Sequence, residues 1–147
     1  MGNAQEQDDI DLLVVTNTNT LWVSRLIGIL LLSLWGLKVR KVGDQNYKDK
    51  LCLNMWLDEN NLKFESREEI YTAHELLQTK VLFDRGLVWK KVLDQNRWTA
   101  HFFPYAYKRE SLIKGLRKNK KASVVLTILK AFEIPARIIQ LFYMHKK

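Results

Sequence analysis

One stretch limits the folds open to this chain more than any other. Between residues 21 and 39 (LWVSRLIGILLLSLWGLKV) polar side chains are scarce, and from Leu26 to Leu37 only Ser33, Gly28 and Gly36 interrupt the apolar run. A helix apolar on nearly every side belongs in an interior, either of a protein or of a bilayer. A membrane span needs roughly 20 predominantly apolar residues, and reaching that length here brings Arg25 inside. The flanks suit one orientation, with acids before the segment and Lys38, Arg40 and Lys41 after it. Ser24, Gly28 and Gly36 also share a stripe of the small-residue kind that lets helices pack closely. Length decides between the two readings. The segment is expected to be a buried helix covering a sheet. The alternative is a single span near residues 20–39 followed by a basic cytoplasmic domain.

The chain has 147 residues, 47% of them hydrophobic, which is one domain's worth with material for a core. Its single cysteine, Cys52, excludes an internal disulfide and a thiolate zinc cluster, and so excludes a stapled secreted miniprotein. An acidic leading segment is wrong for a cleavable signal peptide. Glu6 stands where a myristoylation signal on Gly2 has Ser or Thr. A cytoplasmic protein is expected. The net charge of +8 is unevenly spread. Glu6, Asp8, Asp9 and Asp11 precede any base, whereas 11 basic residues between Lys108 and Lys147 face only Glu110 and Glu133. One end repels phosphates unless a cation intervenes; the other attracts them.

Local patterns give an element order. Ile10–Val15 (IDLLVV) is an apolar strand, followed by a polar turn and the helix over 21–37. Leu51–Leu57 (LCLNMWL) is a second strand, closed by the turn residues Asp58-Glu59-Asn60-Asn61. Ser66-Arg67-Glu68-Glu69 has the form of a capping box opening a helix to about Thr79. Val81–Phe83 is a candidate third strand, and Gly86 precedes a helix to about Trp98. Phe103-Pro104 breaks the chain. Helices are expected over 111–116 and over 122–145, the last kinked at Pro135. The alternation predicts an α/β core over residues 1–95, a mixed sheet with helical cover, and a basic helical appendage over residues 96–147.

The chemistry is concentrated at the first strand. Side chains alternate along a strand, so Asp9 and Asp11 share a face about 7 Å apart. Two carboxylates side by side are expensive to keep charged without a cation, and divalent metals use such pairs in phosphoryl and nucleotidyl transfer. Short acidic motifs also arise by chance, and the bland reading is a solvated acidic terminus.

The run from Gly2 through Asp8-Asp9-Ile10-Asp11 to Val15 resembles the second half of the DNA polymerase β-like nucleotidyltransferase signature. There a Gly-Ser turn precedes a Ser-Asp-x-Asp strand, and Asp8 stands at the usual serine. Leu51–Leu62, Ile70–Asp84, Asn96-Arg97-Trp98 with Phe103-Pro104, and Leu141–Met144 resemble, in that order, an uncharacterised bacterial branch of the same superfamily. The resemblance implies an α/β fold with Asp9 and Asp11 as catalytic metal ligands for magnesium or manganese. It also implies a nucleoside triphosphate as donor and a hydroxyl acceptor whose attack releases pyrophosphate. It leaves two gaps. The Gly-Ser turn is absent, and a third carboxylate is not evident; Asn54 and Asp58 are the candidates for that position. The chain as written is therefore expected to be inactive or nearly so, with Met1 lying inside a longer reading frame or marking a decayed copy.

Other signals are weaker. His74-Glu75-Leu76-Leu77-Gln78 begins like a zinc-protease motif, but Gln78 replaces the second histidine, which favours packing over metal. Cys52 is expected to be a buried, inert thiol. Lys108–Lys121 (KRESLIKGLRKNKK) could grip nucleic-acid phosphates beside the aromatic residues Phe102, Phe103, Tyr105 and Tyr107, but a solvated helix face and loop is the favoured reading, because a basic run alone carries no specificity. A basic nucleic-acid-binding module is thus a third reading of the whole chain.

Overall fold

A computed structural model describes residues 9–40, 44–64, 68–84, 86–112 and 124–145, with backbone only for Asn54, Val124 and Val125. The chain is α/β, and it divides into two compact units: residues 1–59 with 123–147, and residues 60–122. This division differs from the boundary at residue 95 expected from composition, because Asn96 and Thr99 are fully buried in the second unit together with Val92 and Leu93.

The first unit is built on a β-α-β crossover. Strand β1 (Ile10–Thr16) pairs in parallel with β2 (Leu51–Asp58), and helix α1 (Leu21–Leu34) connects them. The register runs from Ile10 opposite Leu51 to Thr16 opposite Asp58. It shifts between Asp11–Cys52 and Leu13–Met55, so β2 carries one extra residue there. On the edge of β2 away from β1, Leu51 donates to the Lys38 carbonyl at 2.8 Å and accepts from the Arg40 amide at 2.9 Å. The sheet described is parallel, not mixed. Gly28 of α1 lies against Trp56, where an added Cβ would sit 3.2 Å from the ring, a tight contact that would make the indole shift by a few tenths of an ångström.

The end of α1 is fixed from far away in sequence. Thr20 precedes it, but its hydroxyl donates to the Asn17 carbonyl at 2.8 Å and caps nothing. The open amides of Trp22 and Val23 instead donate to the two carboxylate oxygens of Glu133, at 2.9 and 3.0 Å. An anion belongs at a helix N-terminus, where unsatisfied N–H groups and the helix dipole coincide. Glu133 opens α7 (Glu133–His145), which follows α6 (Val124–Ala131). The expected single helix over 122–145 is thus two, broken at Phe132. Pro135 lies in the first turn of α7 and has no N–H to offer the Ala131 carbonyl, so the expected disruption at Pro135 takes the form of this break.

The second unit packs four short helices: α2 (Ile70–Gln78), α3 (Val88–Gln95), α4 (Thr99–Phe102) and α5 (Pro104–Ser111). Leu62, Ala73, Leu76, Leu77, Val92 and Leu93 form its core. Asn96 is its polar hub. Its amide nitrogen donates to the carbonyls of Leu62 and Val92, each at 2.8 Å, and its oxygen accepts from the Phe64 amide at 2.9 Å and the Trp98 indole at 3.1 Å. Four partners satisfy a side chain that has no contact with water.

Two local expectations are corrected in this unit. Val81–Phe83 is not a strand: Leu82 and Phe83 are exposed, and the segment leads into a cap. Gly86 (φ +90°) and Leu87 (φ +63°) turn the chain so that Asp84 accepts from the amides of Val88 and Trp89 at the start of α3. Helix α2 starts at Ile70, not at the expected capping box. Glu69 is extended there and caps nothing with its side chain, and Ser66 and Arg67 lie outside the described residues. Phe103-Pro104 does break the chain, between α4 and α5, and proline takes the first helical position of α5, a site that suits it.

Helix α1 is neither membrane-spanning nor buried. It has 14 residues, about 21 Å at 1.5 Å per residue, against roughly 30 Å of hydrocarbon in a bilayer. No described helix is long and apolar enough to cross a membrane. Of α1 only Val23 is buried, and most of its second half faces outward.

Candidate metal centre

The residues at the start of the sheet converge. Ile10 donates to the Lys50 carbonyl at 2.9 Å, which sets Asp9 just before β1 and Asp11 at its second position. Asp11 lies opposite Cys52 across the parallel ladder, so the thiol shares the carboxylate face. Ligand atoms of Asp9, Asp11 and Cys52 all fall within 4.8 Å of one another. Asp11 is exposed, Asp9 is half-buried and Cys52 is buried.

A fourth residue controls the charge. The bridge between residue 39 and the start of β2 brings Arg40 to the same end of the sheet. Its guanidinium donates to Asp9 Oδ2 at 2.6 Å and lies 4.1 Å over the Tyr47 ring. The Arg40 hydrogen bond holds the Asp9 carboxyl below its usual range, against the opposing effect of burial. The same pair raises Arg40 further. Burial pushes the Cys52 thiol up to about 11, with the Asp11 and Asp9 carboxylates adding to the effect. At neutral pH Cys52 is therefore a protonated donor toward the carboxylates, and a poor ligand.

The donor set fits a hard cation held by two carboxylates and completed by other oxygens. It does not fit a soft, thiolate-rich site. A cation entering here competes with Arg40 for Asp9.

Asp58 is elsewhere. It ends β2 opposite Thr16, about 20 Å along the strand from Cys52, and its Oδ2 accepts the Asn19 amide at 2.7 Å. The Asn54 side chain and Asp8 lie outside what is described, as do residues 113–121 of the basic run. Of the described part of that run, Arg109 pairs with Glu110 at 3.0 Å. In the second unit, Gln78 Nε2 lies 2.7 Å from His74 Nε2 on α2. The glutamine thus takes the position a second zinc ligand would need.

Sequence reasoning placed the carboxylate pair but missed Arg40 and the approach of Cys52. A usable signal existed. A crossover returns the chain to the starting end of the first strand, so basic residues just before the second strand arrive beside the acids. No family model, no curated protein and no solved structure matches the chain.

Proposed function

We propose that this chain is a nucleotidyltransferase-like domain in which Asp9 and Asp11 hold a magnesium or manganese ion. The reaction would move a nucleoside monophosphate from a nucleoside triphosphate to a hydroxyl acceptor, in a cytoplasmic setting where both nucleotide and magnesium are plentiful. The observation that carries the reading is the gathering of Asp9, Asp11 and Cys52 within 4.8 Å at one end of a parallel β-α-β unit. The sequence likeness around Asp8–Val15 points the same way. When bound, the ion would neutralise and orient the triphosphate. Asp11, exposed, would engage it directly. Asp9 would do so by giving up part of its bond to Arg40. Arg40 neutralises Asp9 and the protonated Cys52 thiol faces the carboxylates, which makes the pair tolerable.

No third carboxylate joins the pair among the described residues, and turnover by this chain should accordingly be slow. The test is a thermal scan with manganese or magnesium, with and without ATP. Metal binding should raise the midpoint of the wild-type protein by mass action, and Asp9→Asn and Asp11→Asn should each remove the rise. An equal effect of metal on all three proteins refutes the assignment.

A further inference from the structure

The first unit exposes an apolar surface that its own fold does not use. On α1, Leu30, Leu34 and the following Trp35 are 57%, 72% and 73% exposed; on α7, Ile138 and Phe142 are 62% and 63% exposed. The two helices pack on each other, joined by Glu133 at the α1 N-terminus and by Gln140, whose amide donates to the Trp22 carbonyl at 2.6 Å. They therefore present their apolar residues from one body. Monomeric proteins rarely leave so many large apolar side chains of one unit uncovered.

The charges around the patch say what covers it. Residues 21–39 and 124–145 carry Arg25, Lys38, Lys130 and Arg137 against one acid, Glu133, which is committed to the α1 amides. Arg137 lies on one helical stripe with the exposed Ile134, Leu141 and Met144. Arg25 contacts the Met144 sulfur at 4.0 Å, and among the described residues no carboxylate pairs with Arg25 or Arg137. A guanidinium set among apolar side chains without a carboxylate calls for an external oxyanion. A second copy of the same surface would bring these bases together, whereas an anionic bilayer offers acyl chains to the apolar residues and phosphates to the arginines. Trp35 and Tyr143, both exposed, are side chains suited to the headgroup boundary.

We propose that the α1–α7 face is a peripheral docking surface for a bilayer containing anionic phospholipid, lying on the membrane and not crossing it. Apolar insertion supplies the affinity, and Arg25 and Arg137 supply the preference for anionic headgroups.

The experiment is co-sedimentation of the full chain with vesicles of phosphatidylcholine alone and of phosphatidylcholine mixed with phosphatidylglycerol. Binding to the mixed vesicles should exceed binding to the neutral ones and should weaken with salt. Leu30→Asp with Ile138→Asp should lower partitioning by about tenfold or more, since each withdraws an inserted side chain. Both positions are exposed, so the fold should survive, as circular dichroism would verify. Arg25→Gln should cost about fivefold on mixed vesicles and nothing on neutral ones, in line with about 1 kcal/mol per basic residue at an anionic surface. Equal binding to both vesicle types overturns the proposal, as does absence of binding to either. A dimer in sedimentation velocity that Leu30→Asp abolishes, with no vesicle binding, would reassign the face to a second copy.

Discussion

Replacing Glu133 with alanine removes a cap that ties the ends of the chain together, and its cost follows from the geometry. Two amides, those of Trp22 and Val23, lose a charged acceptor at 2.9 and 3.0 Å. A hydrogen bond to a charged group contributes about 1.5–3 kcal/mol, and a charge at a helix end adds about 0.3–1 kcal/mol. Glu133 is only half-buried, so water replaces part of what is lost, and a net loss of about 2–3 kcal/mol is expected. Glu133→Gln keeps one oxygen acceptor without the charge and should cost about half as much. Urea unfolding followed by hydrogen exchange in peptides of α1 and α7 measures both. With slopes of about 1–3 kcal/mol per molar urea, the alanine midpoint should fall by roughly 1–2 M. An alanine variant within about 0.5 kcal/mol of wild type would refute the cap, and so would a glutamine variant as damaged as the alanine one.

Two further outcomes are expected. Asn96→Ala should destabilise the second unit by about 3–5 kcal/mol, because it strips partners from the Phe64 amide, the Trp98 indole and the Leu62 carbonyl in a dry interior; hydrogen exchange over residues 60–112 reads the loss. Asp9, held below its ordinary carboxyl value of 3.8 by Arg40, contributes stability that is present above that value and lost as pH falls through the lowered one. Urea midpoints of wild type and Arg40→Gln should therefore differ at neutral pH and converge in acid, and a gap that stays constant or widens would contradict the pairing.

What was legible beforehand follows local periodicity. The apolar runs of β1 and β2, and the helix between them, were set by residue type within a few positions, and the structure places them within one to three residues of expectation. The common face of Asp9 and Asp11 needed only the two-residue period of a strand. Neighbours across the sheet were not legible, because the pairing of Asp11 with Cys52 depends on a register that no local pattern encodes. The cap of α1 was hidden for a similar reason: Thr20 looked adequate, and the actual acceptor lies 111 residues away from Trp22. Val81–Phe83 has strand-forming side chains, but Asp84 and Gly86 turn the segment into a helix cap before any ladder can form. Burial was overread in α1, where apolar composition suggested an interior that the described fold does not provide.

The candidate centre also shows how a pair of adjacent carboxylates is balanced by the chain's own side chains. Repulsion between them is met by one full charge, Arg40, on Asp9, and by a thiol that burial and the carboxylates themselves keep protonated. Neither partner is close in sequence to the acids, yet both arrive by the same crossover. Arg40 precedes β2 and Cys52 is its second residue. Asp9 is thus balanced by the fold itself, whatever the proposed cation would add. The arrangement also sets a direction for affinity. Under the proposed function an ion would have to displace or share with Arg40, so the guanidinium would weaken the binding of a bare cation. A metal–triphosphate complex would change that balance, because its phosphates would offer the displaced guanidinium a new partner. Binding of the complex in preference to the free ion is therefore expected under that proposal, because an arginine is built into the cluster.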